Sequence, residues 1–191
     1  MALRIIKRLL MLALLSASGL ALAAEPLPPA ANLSEGAATE RATLFTALAA
    51  AKDEAEARAI EQKIWKFWLG LADASSRALF EQSRKAQLQL EFDEALTYLK
   101  LLVVHAPHYA EGWNQLGYVL YLAGKYDAAL VAIEQALKLE PLHFAALVGK
   151  AEVLIAQGKE ADAQAPLREA LAIDPWLRER SLLAKEPGRK T

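Results

Sequence analysis

The chain has 191 residues, with 22 Lys and Arg against 23 Asp and Glu for a formal net charge of −1, and it contains no cysteine. Without thiols it forms no disulfide, thiol redox centre or thiolate metal site, so its stability has to come from apolar packing. Its basic residues are scattered among acids along the whole length, which excludes the clustered basic surface that a nucleic-acid partner requires.

The amino-terminal segment reads as an address. Arg4, Lys7 and Arg8 form a basic start, an apolar run from Leu9 to Leu22 follows, and Ala21-Leu22-Ala23-Ala24 supplies a small-x-small cleavage sequence. Residues 1–23 are therefore expected to be a signal peptide cut after Ala23. The apolar run is about 14 residues, short of the roughly 20 that cross a bilayer. No cysteine stands at the junction to take a lipid, so no stable membrane insertion is expected after cleavage. Loss of the three leader cations leaves 19 basic residues against 23 acidic ones, a net of −4.

Residues 24–38 carry Pro26, Pro28 and Pro29 without an apolar period, which predicts a flexible Pro/Ala-rich linker. From Thr39 onward the composition is that of helix, rich in Ala, Leu, Glu, Lys and Gln with no alternating strand pattern. Residues 39–75 are expected to form two capping helices, about 40–51 and 54–70, packed on the repeat that follows. Ile60, Ile64, Phe67, Trp68 and Leu71 make one apolar stripe with Trp65 beside it, which reads as core or inter-repeat packing.

Further along, the chain repeats itself. Pro107, Pro141 and Pro175 are separated by 34 residues and then by 34 again, and the same interval connects Ala95, Ala129 and Ala163. Gly124 and Gly158 share it, as do Ala136 and Ala170. Glycine ends a helix in a left-handed conformation at little steric cost, proline stops a helix, and alanine sits where two helices approach closely. Between these markers the apolar residues follow helical spacing: Leu116, Val119, Leu120 and Leu122, then Leu130, Ile133, Leu137 and Leu139. One such hairpin cannot bury both faces, so stacking is obligatory.

On these residues the chain resembles the tetratricopeptide repeat family, with units at 76–109, 110–143 and 144–177. In the middle unit Trp113, Leu116, Gly117, Gly124, Tyr126, Ala129, Ala136 and Pro141 stand where the family pattern calls for Trp, Leu, Gly, Gly, Tyr, Ala, Ala and Pro. The third unit keeps Gly158, Ala163, Ala170 and Pro175, with Leu147 for the tryptophan. The first keeps Ala95 and Pro107 but has Leu79 for the tryptophan and Leu90 for the helix-ending glycine. The resemblance implies an all-α, right-handed α-solenoid of tandem helical hairpins with amino-terminal capping helices. Residues 178–191 complete it, with one short final helix over Trp176 to Ala184 and a frayed tail from Lys185.

No nucleophile elbow, HExxH, glycine-rich phosphate loop or EF-hand pattern is present, so the chain is read as no enzyme, without cofactor or metal. His105, His108 and His143 lie near the turns between repeats and read as solvated rather than as metal ligands. Glu91, Asp93 and Glu94 lie at a helix start, facing the positive end of its dipole. The resemblance does imply a concave groove lined by the first helix of each unit. Carried over by position, it is formed by Arg77, Phe80, Arg84 and Gln87, then Glu111, Asn114, Tyr118 and Tyr121, then Ala145, Val148, Glu152 and Ile155.

Such a surface suits an extended or helical peptide, with Arg77 and Arg84 taking an acidic group and the tyrosines supplying contact area. Family members that clamp a terminal carboxylate use basic groups at places where Phe80 and Ala145 stand here, so that specialised role is not implied. The expected protein is a scaffold or assembly factor in the periplasm of a Gram-negative bacterium, holding a protein or peptide partner. The alternative is a structural protein that forms homo-oligomers through its aromatic amino-terminal helices, with Trp65 and Trp68 at the contact.

Overall fold

The computed structural model describes residues 30–184. The expected leader, the proline-bearing stretch before residue 30 and the tail from Lys185 lie outside the described residues. These contain eight α-helices and no strand: α1 Glu35–Ala49, α2 Glu54–Gly70, α3 Ala74–Leu88, α4 Phe92–His105, α5 Ala110–Leu122, α6 Tyr126–Leu139, α7 Phe144–Ala156 and α8 Glu160–Ile173. A short 3-10 helix over Arg178–Leu182 follows, within the stretch expected to hold one short final helix.

Helices α3 to α8 form three antiparallel hairpins stacked into a solenoid. The three prolines occupy equivalent corners. Ala106, Glu140 and Asp174, each preceding a proline, leave the helical region, as the proline ring imposes on its predecessor; Glu140 and Asp174 are extended and Ala106 stands at φ −125° and ψ 70°. Each donates its N–H to the carbonyl four residues back, at Leu102, Ala136 and Ala170. Two residues after each proline the chain folds back again, with Tyr109, His143 and Leu177 donating to Ala106, Glu140 and Asp174.

Ala95, Ala129 and Ala163 are fully buried at the helix crossings. Gly117 has no room for a side chain, since a Cβ there would stand 2.6 Å from Cγ1 of Ile133. Leu96, Leu99, Leu102, Val119 and Ile133 fill the core between the hairpins. On α3 the exposed positions are mostly polar, among them Arg77, Glu81, Gln82, Arg84 and Lys85, so the first hairpin ends the stack without a cover.

The amino-terminal hairpin departs from expectation in both extent and position. Helix α1 starts at Glu35, inside the stretch read as linker, because Ser34 accepts a hydrogen bond from the Ala37 N–H and Glu35 faces the positive helix end. The chain before it is held in place, with the Ala31 N–H donating to the Leu139 carbonyl at 2.8 Å. Nor does the pair cap the first hairpin. Phe45, Leu48, Ile60, Ile64, Phe67 and Trp68 share a core with Leu142 and Phe144 at the α6–α7 corner, bordered by Ile173, Trp176 and Leu177. The polar outer face of α3 offers that apolar stripe nothing to bury against, whereas the corner of the last two hairpins does.

A bidentate ion pair fixes this docking. Nε and Nη2 of Arg41 on α1 each lie 2.6 Å from the carboxylate of Glu140, which also accepts from the Leu142 N–H at 2.9 Å. Both side chains are buried, so each charge depends on the other.

Gly124 and Gly158 turn with φ of +70° and +74°, and Leu90 is forced into the same left-handed conformation at +61° with its side chain 74% exposed. An L-residue pays roughly 1–2 kcal/mol there, part of which glycine returns as chain entropy in the unfolded state. Leu90→Gly is therefore expected to stabilise the protein by about 0.5–1 kcal/mol, read as a higher denaturation midpoint in urea.

Candidate functional site

The docked hairpin converts the open concave face into a bounded cavity of about 560 Å³. One wall is α2, through Arg58, Glu61 and Trp65. The floor is α5 and α7, through Asn114, Tyr118, Tyr121, Phe144, Ala145, Val148 and Glu152, and the segment Trp176–Glu179 closes the far side.

The floor is held from below by a buried polar network. His143 is 0% and Glu111 1% exposed. Nδ1 of His143 accepts from the Ala146 N–H at 3.3 Å, capping α7, so the ring hydrogen sits on Nε2 and is donated to Glu111 Oε2 at 2.9 Å. The same carboxylate accepts from Asn114 at 3.0 Å and from Gln115 at 2.7 Å. Trp68 stacks flat on the imidazole at a centroid distance of 4.0 Å and an interplanar angle of 11°, with Trp65 set edge-on to Trp68 at 5.2 Å. Helix α2 and the α5–α7 floor are thereby registered to each other.

Of the groove residues expected from sequence, the cavity gathers Asn114, Tyr118, Tyr121, Ala145, Val148 and Glu152. Glu111 lies beneath the floor. The α3 residues stay outside: Arg77 donates to the Ala72 carbonyl, Arg84 pairs with Glu81 at 2.9 Å, Gln87 donates to Ser83 at 3.1 Å, and Phe80 packs against the main core. Ile155 joins the Ala151–Leu167 core instead. The reason is the hairpin, which lies over α5 and the start of α7 and leaves α3 unpartnered.

His143 is correspondingly not the solvated turn histidine expected. The 34-residue register would have exposed this, because His143 occupies the corner place of Tyr109 and Leu177, and Tyr109 is buried as well. His105 lies on the surface and pairs with Asp73 at 3.0 Å. Among the described residues no group of three His, Asp or Glu is placed to hold a metal ion. Trp68 is consumed inside the chain, which removes it from the contact envisaged for self-association.

The tetratricopeptide repeat family model matches residues 110–142. A TPR repeat-containing protein of Rhizobium etli is 31% identical over 117 residues, an overlap of 61% of this chain, and the chain spans 57% of that protein's length. Among solved structures, the TPR2B domain of yeast Sti1 in complex with pHsp70 aligns with a TM-score of 0.54 at 18% identity, covering 58% of this chain and 91% of that one. The first TPR of Spaghetti (RPAP3), bound to the HSP90 peptide SRMEEVD, aligns at 0.55 with 17% identity, over 58% and 87%. The Yersinia enterocolitica secretion chaperone SycD, in complex with a peptide of the translocator YopD, aligns at 0.50 with 18% identity, over 61% and 82%. These likenesses carry the fold, an all-α solenoid of helical hairpins, and with the repeat match they support the tetratricopeptide repeat family.

Two carboxyls of the cavity wall are perturbed. Burial, and next the neighbouring Asp174 carboxylate, push Glu61 up to about 7. Asp174 is itself 0% exposed, with Oδ1 accepting from the Trp176 N–H and Oδ2 buried without a hydrogen-bond partner. Burial, then the Glu179 carboxylate, raises Glu152 as well. A folded-state value above the ordinary 4.5 means the folded protein binds the Glu61 proton more tightly than the unfolded chain does. That stabilisation is complete below pH 4.5 and is lost as pH rises through about 7. In Glu61→Gln, which cannot ionise, the melting temperature is expected to fall less over this interval than in the unaltered protein, as thermal scans at both ends would measure.

Proposed function

We propose that this chain is a non-catalytic interaction module that holds a segment of a protein partner in the cavity between α2, α5 and α7. The observation that carries the reading is the cavity itself. Its volume falls in the range of binding sites, and it presents aromatic faces beside a few polar groups, with Tyr118 left 46% exposed on the floor. Tyrosine in such a setting offers a large contact area with few rotatable bonds to immobilise. The peptide complexes of the structurally similar proteins support peptide binding as the role of such a fold. The cavity holds paired carboxylates but no nucleophile with an adjacent base, which supports a role without chemistry.

The compartment belongs to the same proposal. The basic start, short apolar run and small-x-small junction support export, and a scaffold or assembly factor of the periplasm is the function we assign. Protein recovered from its native cells is expected to begin at Ala24; an intact Met1 would remove the periplasmic part.

Partner binding is expected to weaken by about thirtyfold in Tyr118→Ala, as for a centrally placed tyrosine, and to remain unchanged in Arg84→Ala, which alters a residue outside the cavity. Pull-down from a periplasmic extract followed by titration of the purified pair measures both. Equal binding by all three proteins would sink the reading.

A further inference from the structure

Resting on the cavity being the binding site, we infer that it selects a partner segment carrying an arginine side chain, which enters between the aromatic faces and pairs with Glu61, Glu152 and Glu179. The chemistry is that of a basic linear peptide, opposite in charge to the acidic group expected at Arg77 and Arg84.

The charge of the wall is uncompensated. Glu61, Glu152 and Glu179 make no ion pair among the described residues, and the buried carboxylate of Asp174 stands directly behind Glu61. Two arginines also line the cavity. Arg58 is committed to Glu54, and Arg178 is exposed, where water screens it. The raised values of Glu61 and Glu152 accord with this imbalance: Arg58 offsets only a smaller part of what burial and Asp174 do to Glu61, and burial and Glu179 both raise Glu152. A cation delivered there regains the interaction that the carboxylates lack.

The remaining lining fits guanidinium in particular. Trp65, Tyr118, Tyr121 and Trp176 border the same space, and an aromatic face attracts a cation through its ring quadrupole. Arginine is planar, stacks on such rings and gives paired hydrogen bonds to carboxylates; lysine offers a point charge. The cavity of about 560 Å³ takes this side chain together with adjoining backbone.

The test uses the full chain to select binders from a random linear peptide library, with affinities then measured by calorimetry. Selected peptides are expected to share an arginine. Its replacement by the uncharged isostere citrulline is expected to weaken binding at least about tenfold, with lysine between the two. The protein carrying Glu61→Gln, Glu152→Gln and Glu179→Gln together should lose a similar factor for the arginine peptide and none for the citrulline peptide. Peptides that depend on Tyr118 yet bind equally with arginine or citrulline would overturn the inference and leave the cavity as the binding site. Selected peptides indifferent to Tyr118→Ala, or no selected peptide at all, would overturn both.

Discussion

The flat contact between Trp68 and His143 is the joint on which the cavity depends. On one side of it lies α2; on the other lie the capped start of α7 and, through Glu111, the start of α5. Three helices that share no hairpin are brought into register by one aromatic sandwich over a hydrogen-bonded acid. The Arg41–Glu140 pair performs the same service for α1 at the same corner, and it too seats its acid on a helix end. Both devices use the corner that follows α6, because a stacked array exposes polar backbone there and leaves apolar residues such as Leu142 and Phe144 needing cover.

The concave face of a stack of helical hairpins is ordinarily an open trough shared by all its first helices. Here one end is left polar and the other is walled in by the chain itself. The cavity is thereby concentrated on the second and third hairpins, and the residues around it come from five separate stretches of sequence. The consequence is a site with an acid-rich rim and an aromatic floor, whose charge differs from that of the first repeat's helix, where Arg77, Arg84 and Lys85 face water.

The hairpins were legible because each recurring residue meets a local demand. Gly124 and Gly158 take left-handed backbone, Ala95, Ala129 and Ala163 permit close crossings, and the residues before Pro107, Pro141 and Pro175 have to leave the helix. Such demands act within a few residues and so leave a trace in spacing. The place of α1–α2 obeys no local rule. Its stripe from Ile60 to Trp68 announces that it must be buried, but the choice of surface was settled by residues some 75 positions away, at Leu142, His143 and Phe144. For the same reason α5 and α7 supplied recognisable cavity residues, whereas Glu61, Trp65, Trp176 and Glu179 carried no mark of belonging there.

Closure of the chain on itself also changes what kind of object the solenoid is. Repeat arrays are in general modular, each unit touching its neighbours alone, so that units are gained, lost or melted singly. In this chain a strap runs from Ala31 through α1 and α2 to the end of the last repeat, spanning two corners at a fixed separation. An additional repeat inserted between them would pull the strap off its anchors, so the length of the array is locked and its carboxy-terminal half is bound to open as one cooperative body.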